Sequence, residues 1–148
     1  MTPTITLAGP ADLAKIVGLL GGQFAEHDIP ATEDGLKKAV SGMLEVPARG
    51  DILLAHVDGR AVGVAVLAYS WTLEHGGLSC WLDELYVDPE LRSKGIGRAL
   101  LLFAIGHVKA RGAAAIDLEV VEGHERAAKL YEREGFRRRD RVRWMRPL

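Results

Sequence analysis

Two adjacent acidic residues, Asp83 and Glu84, interrupt an otherwise apolar segment, CWLDELYV, at residues 80–87. A charge in such a segment has to find a partner or face a cleft, because burying it alone is unfavourable. A carboxylate in a cleft can help to deprotonate an alkylamine, whose pKa near 10.4 leaves only about one molecule in a few thousand neutral at pH 7. The pair therefore indicates acid–base chemistry, and a salt bridge to a neighbouring arginine is the alternative for each acid.

A glycine-bearing turn follows at RSKGIGRALL, residues 92–101. It lies between a predicted strand end and a predicted helix start, where missing Cβ atoms let a ligand approach the backbone. The first N–H groups of a helix lack partners within it, and the helix dipole adds partial positive charge. The turn can therefore bind an anion such as a pyrophosphate, helped by Arg92, Lys94 and Arg98. An ordinary turn with solvated cations is the alternative.

Hydrophobic periodicity and turn residues predict the elements that position these groups. The predicted strands are TITLA (4–8), two runs within 51–71 joined by a hairpin at Asp58 and Gly59, SCWLDELYV (79–87), AAIDLEVV (114–121) and FRRRDRVRWMRPL (136–148). The predicted helices run from a cap at Asp12 to about His27, from Gly35 to Leu44, over 98–112 and over 124–135. This order predicts an α/β (α+β) fold with a mixed sheet, in a single domain of residues 1–148.

Composition narrows the classes of partner. The chain has 148 residues and a formal net charge of −1, so no global field gathers nucleic acid or an anionic membrane. One cysteine, Cys80, excludes an internal disulfide, and no apolar stretch reaches transmembrane length. No metal-ligand spacing occurs among the five histidines. We therefore expect a cytoplasmic protein that binds small molecules, without a metal.

The motifs resemble those of the GCN5-related N-acetyltransferases (GNAT). Arg92, Ser93, Lys94, Gly95, Ile96 and Gly97 match the family's acetyl-coenzyme A signature of Arg or Gln, two residues, Gly, one residue, then Gly or Ala. LYVDPELR resembles the exit of the family's fourth strand, and AAKLYEREGF its late tyrosine-bearing helix. The resemblance covers essentially the whole chain and is strongest from Asp83 to Phe136. It implies a mostly antiparallel mixed sheet flanked by about four helices and splayed between the fourth and fifth strands.

The resemblance also implies how acetyl-coenzyme A, the expected cosubstrate, is held. Backbone amides from Ser93 to Arg98, through Lys94, Gly95, Ile96 and Gly97, would bind the pyrophosphate. Backbone groups of Leu85 and Val87 would pair with the pantetheine arm, and the Val87 N–H would hold the oxyanion. The family usually has Asn seven residues before its tyrosine, where this chain has His124. We expect His124 to replace that Asn as a pantetheine contact, with proton relay as the alternative.

Three side chains are the predicted catalytic set: Tyr131, Asp83 and Glu84. The resemblance implies that Tyr131 is the general acid for the leaving thiolate, with helix packing as the alternative. Within the family, the strand is most similar to that of spermidine/spermine N-acetyltransferases, which implies Asp83 as the base and Glu84 as a second contact to a cationic amine. Strand alternation predicts that the two acids point to opposite faces.

Two further groups of residues lie where the resemblance implies a substrate mouth. They are Trp71, Glu74 and His75 near one turn, and Glu26, His27 and Asp28 after the first helix.

The last segment contains six arginines: Arg137, Arg138, Arg139, Arg141, Arg143 and Arg146. Because Asp140 lies among them and the chain is nearly neutral, we interpret this segment as a solvated edge strand rather than a nucleic-acid site.

These observations favour an enzyme that transfers acetyl from acetyl-coenzyme A directly to a small cationic primary amine. A protein lysine or N-terminus, or an aminoglycoside, is an alternative acceptor. A non-catalytic acyl-coenzyme A-binding regulatory module is the alternative from another class, but such a module would not need Tyr131 and the paired acids. The arginines of the last segment also suit contacts between subunits, and we expect a homodimer.

Overall fold

The computed structural model describes residues 1–148, which form five strands and four helices. The strands are β1 (Thr4–Leu7), β2 (Gly50–Val57), β3 (Arg60–Thr72), β4 (Gly77–Val87) and β5 (Ile116–Asp117). The helices are α1 (Leu13–Glu26), α2 (Glu33–Glu45), α3 (Ile96–Ala110) and α4 (Glu125–Arg133). The predicted order of elements is confirmed up to α4. No helix combines the length and the apolar character that a bilayer crossing requires.

The five strands form one sheet in the order β1-β2-β3-β4-β5. Neighbouring strands are antiparallel except β4 and β5, which run parallel. That parallel pairing covers only Cys80 with Ile116 and Trp81 with Asp117. From Leu82 to Val87, β4 therefore has no partner on its β5 side, so the splay between the fourth and fifth strands is confirmed.

The sheet has an apolar cluster on each face. One cluster includes Ile16 and Leu20 of α1 and Leu36 and Val40 of α2, packed on the sheet. The other is built around the buried face of α3. Both layers follow from the amphipathic pattern of the helices, because each buries its apolar stripe against the sheet. The free end of β4 thus lies between α1 on one face and α3 on the other.

A β-bulge interrupts β4 at the acidic pair. Val66 of β3 is opposite Glu84, whereas the next residue, Leu67, is opposite Leu82, so Asp83 has no partner in β3. Leu82 and Leu85 both pack with the α3 cluster although they are three residues apart. The strict alternation on which the expectation of opposite faces for Asp83 and Glu84 depended therefore stops at the bulge.

Three predicted element boundaries also differ from the structure. Residues 136–148 form no strand, so the expected C-terminal edge strand is wrong. Of the predicted strand 114–121, only Ile116–Asp117 pairs with a neighbour. Helix α2 starts at Glu33 rather than Gly35, because the Thr32 side chain accepts a hydrogen bond from the Gly35 N–H and caps it. None of these changes alters the position of β4 relative to α1, α3 and α4.

Candidate active site

The glycine-bearing turn places free N–H groups at the start of α3. Ser93 and Gly95 adopt positive φ angles of 65° and 82°, which turn the chain sharply into the helix. Ala99 is the first residue of the helix to donate to a turn carbonyl, that of Gly95, at 3.0 Å. The N–H groups of the first turn, at Ile96, Gly97 and Arg98, consequently have no partner within α3. This arrangement suits a phosphate-sized anion.

Two of the three cations in this turn are already paired. Arg92 forms a bidentate ion pair with Glu26 at the end of α1, with N···O distances of 2.7 and 2.6 Å. Its Nε also donates a hydrogen bond to the Val87 carbonyl at 3.0 Å. Arg98 donates to Glu134 just after α4 at 2.7 Å. Lys94 is exposed and makes no ion pair. Arg92 and Arg98 therefore connect the turn to α1 and α4, and Lys94 is the cation of the turn that is available to bind an anion.

Arg126 is a cation of this region that the sequence analysis missed. Its guanidinium, in the first turn of α4, donates to the Ser93 hydroxyl. It lies 33 residues further along the chain than Ser93, so no local pattern links the two. The only available signal was a cation near the N-terminus of a helix, where the dipole does not favour it.

The unpaired end of β4 presents its backbone to the gap beside β5. After the bulge, the Asp88 N–H donates to Val62 of β3 at 2.8 Å. Backbone groups of successive strand residues point to opposite edges, so the N–H groups of Val87 and Leu85 point away from β3 and into the gap. Before the bulge the direction is reversed, since the Cys80 N–H donates to Ala115 beside β5 at 3.0 Å. The bulge thus sets which β4 amides are free.

Glu84 is half-buried and faces α1 and α4. Burial raises its pKa to about 7, the neighbouring charge of Asp83 adds to the rise, and the polar side chain of Gln23 in α1 offsets part of it. Its carboxylate in turn contributes to the raised pKa of Tyr131, so the two side chains are close. A carboxyl with a pKa near neutrality can exchange a proton at physiological pH.

Asp83 has a different environment. Its side chain is exposed, and the loss of part of its surrounding water raises its pKa. The charge of Arg143 lowers that pKa, and the charge of Glu119 raises it. Of the two acids, Glu84 is therefore the one whose charge affects the Tyr131 phenol.

Tyr131 lies half-buried on α4 and packs against the α3 cluster. Its ring meets Phe136 edge-on, with ring centroids 5.7 Å apart. Burial raises the pKa of the phenol to about 12, and the charge of Glu84 adds to the effect. The phenol is therefore protonated throughout the neutral range and can donate a hydrogen bond.

His124 directly precedes α4, and its ring lies 5.0 Å from the ring of His27, at the end of α1. The positive charges of these two histidines, when present, help to lower the pKa of Glu26, for which the hydrogen bond from Arg92 is the largest cause. His124 therefore lies where the start of α4 approaches the end of α1.

The other predicted mouth residues lie elsewhere. Glu74 binds Arg139 and Arg141 of the C-terminal segment at 2.9 and 2.7 Å. His75 contacts Asp117 of β5 at 2.6 Å. The Glu74 contacts hold the C-terminal segment against the β3–β4 turn, and the His75 contact joins that turn to β5. They do not bring Glu74 or His75 into the group formed by Glu84 and Tyr131.

Gln23 is the second residue that the sequence analysis missed. It lies on the buried face of α1 in register with Ile16 and Leu20, and only 8% of its surface is exposed. A polar residue at a core position of an amphipathic helix was a usable signal, because buried polar groups need hydrogen-bond partners. Its polar side chain lies near enough to Glu84 to lower the pKa of that carboxyl.

Comparison with known proteins gives a consistent result. Residues 16–136 match the model of the acetyltransferase (GNAT) family. A mycothiol acetyltransferase of Propionibacterium freudenreichii subsp. shermanii is 50% identical over 131 residues, which cover 84% of this chain and 40% of that protein. The chain spans less than half the length of the curated relatives it matches.

Solved structures share the whole fold. An integron cassette protein from the Cole Harbour salt marsh metagenome superposes with a TM-score of 0.88 at 26% identity, covering 97% of this chain and 90% of that one. A protein of Clostridium acetobutylicum, described as a predicted acetyltransferase and solved with acetyl-CoA, has a TM-score of 0.82 at 16% identity. The match covers 98% of this chain and 96% of the other, and it shows likeness of fold alone.

Proposed function

The chain belongs to the acetyltransferase (GNAT) family, and from that premise we propose that it moves an acetyl group from acetyl-coenzyme A directly to a primary amine of a small molecule. This proposal is supported by the position of Glu84 on the unpaired end of β4, close enough to Tyr131 for its charge to raise the pKa of the phenol. Proton removal from an amine and donation to a leaving thiolate need such a base and such a donor.

The residues present fit acetyl-coenzyme A, which supplies an activated acetyl thioester when it is bound. The free N–H groups of the Ser93–Arg98 turn would hold the pyrophosphate, together with exposed Lys94. A Cβ built at Gly97 meets only a methyl group of Val87, at 3.7 Å, so the turn keeps an open face. The Leu85 and Val87 amides would bind the pantetheine arm and the acetyl oxygen, and His124 would contact the arm in place of the usual Asn.

We assign the role of general base to Glu84. Its pKa of about 7 leaves it partly ionised at neutral pH, and the carboxylate can accept a proton from the acceptor amine. Asp83, the base implied by the strand resemblance, is exposed and faces Arg143 instead. We therefore propose that Asp83 supports the charge of a cationic acceptor and that Glu84 removes the proton.

Tyr131 is the proposed donor to the leaving sulfur. The charge of Glu84 contributes to the raised pKa of its phenol. When Glu84 takes up a proton, that charge disappears and the phenol becomes a better donor. The two steps therefore favour each other in the order base first, acid second.

Two observations bear on the acceptor. The 50% identical relative is named for mycothiol, which supports a small-molecule acceptor. The likeness of β4 to spermidine/spermine acetyltransferases supports a polyamine or diamine. We propose a small cationic primary amine that lies against Asp83 and Glu84, and we retain the expectation of a cytoplasmic enzyme.

The homodimer also stays a proposal. Val142, Trp144 and Met145 in the C-terminal segment are 83%, 91% and 77% exposed, and such exposed apolar side chains are typical of contact surfaces. Sedimentation equilibrium should give twice the mass of the chain. A monomer mass over the micromolar range would contradict the dimer.

A thiol-release assay tests the proposed function. Purified protein is incubated with acetyl-coenzyme A and a panel of small primary amines that differ in charge and in amine pKa, and each acetylated product is confirmed by mass spectrometry. We expect release that depends on the amine. Tight binding of acetyl-coenzyme A without acetyl transfer to any amine would instead support a non-catalytic binding module.

Gly97→Val is expected to weaken coenzyme A binding about tenfold or more, because the added side chain would project into the path of the pyrophosphate. Within the protein, a Cβ at Gly97 makes only an ordinary contact, so the variant should fold. Isothermal titration calorimetry with coenzyme A measures the change.

Gly106→Val is the matched control for this prediction. Gly106 lies further along the same helix, and a Cβ there meets no atom within 4 Å. It should leave coenzyme A affinity near that of the wild type. Equal affinity of folded Gly97→Val and wild type would contradict the assignment of the turn.

A further inference from the structure

Arg143 of the C-terminal segment lies in a small site formed by an aromatic ring and a carboxylate. Its Nη1 donates a hydrogen bond to Glu119 at 2.9 Å. Its guanidinium carbon lies 5.2 Å from the centre of the Trp81 ring. The face of a tryptophan attracts a cation, and a carboxylate beside it adds a charge-assisted hydrogen bond. These contacts define a binding site for an organic cation, with a guanidinium bound in it.

The contacts in this site do not depend on the shape of a guanidinium. Arg143 uses only one of its five N–H groups there, in the hydrogen bond to Glu119. An alkylammonium group also offers an N–H donor and a positive charge. The charged end of an aliphatic amine can therefore make the same two contacts, one with the carboxylate and one with the ring.

The site lies where β4 and β5 separate. Trp81 and Asp117 form the last residue pair of these strands, and Glu119 follows Asp117 by two residues. Beyond Trp81, β4 has no partner on that side and carries Asp83 and Glu84. Glu84 is three residues after Trp81, about 10 Å at a strand rise of roughly 3.3 Å per residue. A molecule with two charged ends can therefore reach Glu84 with one end and the Trp81 ring with the other.

Arg143 can leave this site at little cost in stability. Every residue from 137 to 148 is exposed, so no buried side chain of the segment holds Arg143 in place. The side chains of Arg143 and Glu119 are 59% and 48% exposed, and ion pairs at such positions contribute little to stability. Two further ion pairs, both to Glu74, also hold the segment. Arg143 can therefore move out while the segment stays attached.

We infer that Trp81 and Glu119 bind a second, non-reacting cationic group of the acceptor, and that Arg143 occupies this site until the acceptor displaces it. No covalent bond changes in this exchange, because one cation replaces another over the same ring. A site that is already occupied lowers the apparent affinity of its ligand, so Arg143 raises the KM of acceptors with two charges. This inference rests on the proposed function, because the other end of the acceptor has to be the reacting amine.

Two substitutions that break the same ion pair should have opposite effects. Arg143→Gln vacates the site, so the apparent Kd of hexamethylenediamine should fall about threefold, the scale of an exposed ion pair. Glu119→Gln removes the carboxylate that binds the cation, so it should raise that Kd about threefold. The Kd is measured from the proton–nitrogen NMR signal of the Trp81 indole. Trp81→Phe identifies this signal among those of the three tryptophans.

Lys37→Gln and Glu33→Gln are the charge-matched controls. They break an exposed ion pair of α2, at 3.2 Å, that involves no residue of this site, so both should leave the Kd near that of the wild type. If Arg143→Gln and Glu119→Gln shift the Kd in the same direction, or leave it unchanged, their ion pair is only a surface contact and the inference is wrong. A Trp81 signal that hexamethylenediamine does not move would overturn it as well.

Steady-state kinetics connect the site to acetyl transfer. Hexylamine has the same carbon chain as hexamethylenediamine but only one charge, so the ratio of the two KM values isolates the second charge. Arg143→Gln should increase the preference for the diamine about threefold, and added salt should reduce this difference from the wild type. An unchanged KM ratio would contradict the inference. If the wild type acetylates no amine, the proposed function fails, whereas the NMR titration still decides whether a cation enters the site.

Discussion

Tyr131→Phe is expected to lower kcat about a hundredfold or more, within the range of a positioned general acid, while coenzyme A affinity stays unchanged. The substitution removes one oxygen and keeps the ring that meets Phe136 edge-on. The phenol is protonated at neutral pH because burial and the charge of Glu84 raise its pKa to about 12. The loss should therefore persist at saturating amine and acetyl-coenzyme A, as steady-state kinetics can measure.

Two comparisons separate proton donation by Tyr131 from packing. An acyl donor with a more acidic thiol should reduce the defect, because its thiolate leaves without help. Phe136→Leu perturbs the same ring contact without touching the phenol, so it should lower the melting temperature and leave kcat close to that of the wild type. If folded Tyr131→Phe turns over at the wild-type rate, Tyr131 only packs α4 against the sheet, and the binding-module alternative returns.

Glu84→Gln is expected to lower kcat/KM about a hundredfold near pH 7.5, the loss of a general base. In the wild type, kcat/KM should rise with pH through the pKa of Glu84, about 7, as the carboxylate forms. The variant should lack this rise near pH 7, and its kcat/KM should increase only as the pH approaches the pKa of the amine. A pH-rate profile of both proteins checks this expectation.

The same substitution should change the free energy of unfolding by an amount that depends on pH. The folded pKa of Glu84, about 7, lies above its ordinary value of 4.5, so the fold disfavours the ionised form. Between these values the unfolded chain releases its proton first, and wild-type stability falls as pH rises. Glu84→Gln should therefore raise the free energy of unfolding at pH 8 and leave it nearly unchanged at pH 4.

Asp83→Asn is the matched control for the base assignment. Its carboxyl is exposed and faces Arg143 and Glu119, so we expect a raised KM for a cationic amine with a nearly constant kcat. If Asp83→Asn instead loses the pH-dependent limb and Glu84→Gln retains it, the base is Asp83. Denaturant unfolding of all three proteins, followed by circular dichroism, provides the stability data.

Most of the fold could be predicted because its signals are local. The helices carry apolar stripes at a period of 3.6, and Asp58 with Gly59 marks a tight turn between β2 and β3. The C-terminal strand was predicted from the same kind of signal, alternation in RVRWMR, and was wrong. A strand needs an edge to pair with, and β5 pairs over only two residues, while Arg143 binds Glu119 and lies over the Trp81 ring instead.

The site was predictable in its residue types but not in its geometry. Alternation could not reveal the bulge at Asp83, because register depends on the partner strand. Nor could sequence show that Arg92 pairs with Glu26, since 66 residues separate them. Arg92 was expected to meet a phosphate, and in the structure its guanidinium joins the end of α1 to the end of β4. That use of a motif residue depends on tertiary packing alone.

The short β5 and the lightly packed α4 have a consequence for amide hydrogen exchange. Helix α4 buries no residue, and β5 is tied to β4 by only two residue pairs. Segments with few buried contacts open at lower free energy than the core, so residues 116–136 should exchange their amide hydrogens by sub-global opening, ahead of β2 and β3. Because Tyr131 lies on this segment, each opening would detach the phenol from Glu84 while the rest of the sheet stays folded. Warming would then abolish the proposed acetyl transfer at a temperature below the melting temperature of the protein. A ligand that contacts both the turn before α3 and the start of α4 would slow amide exchange in this segment more than elsewhere.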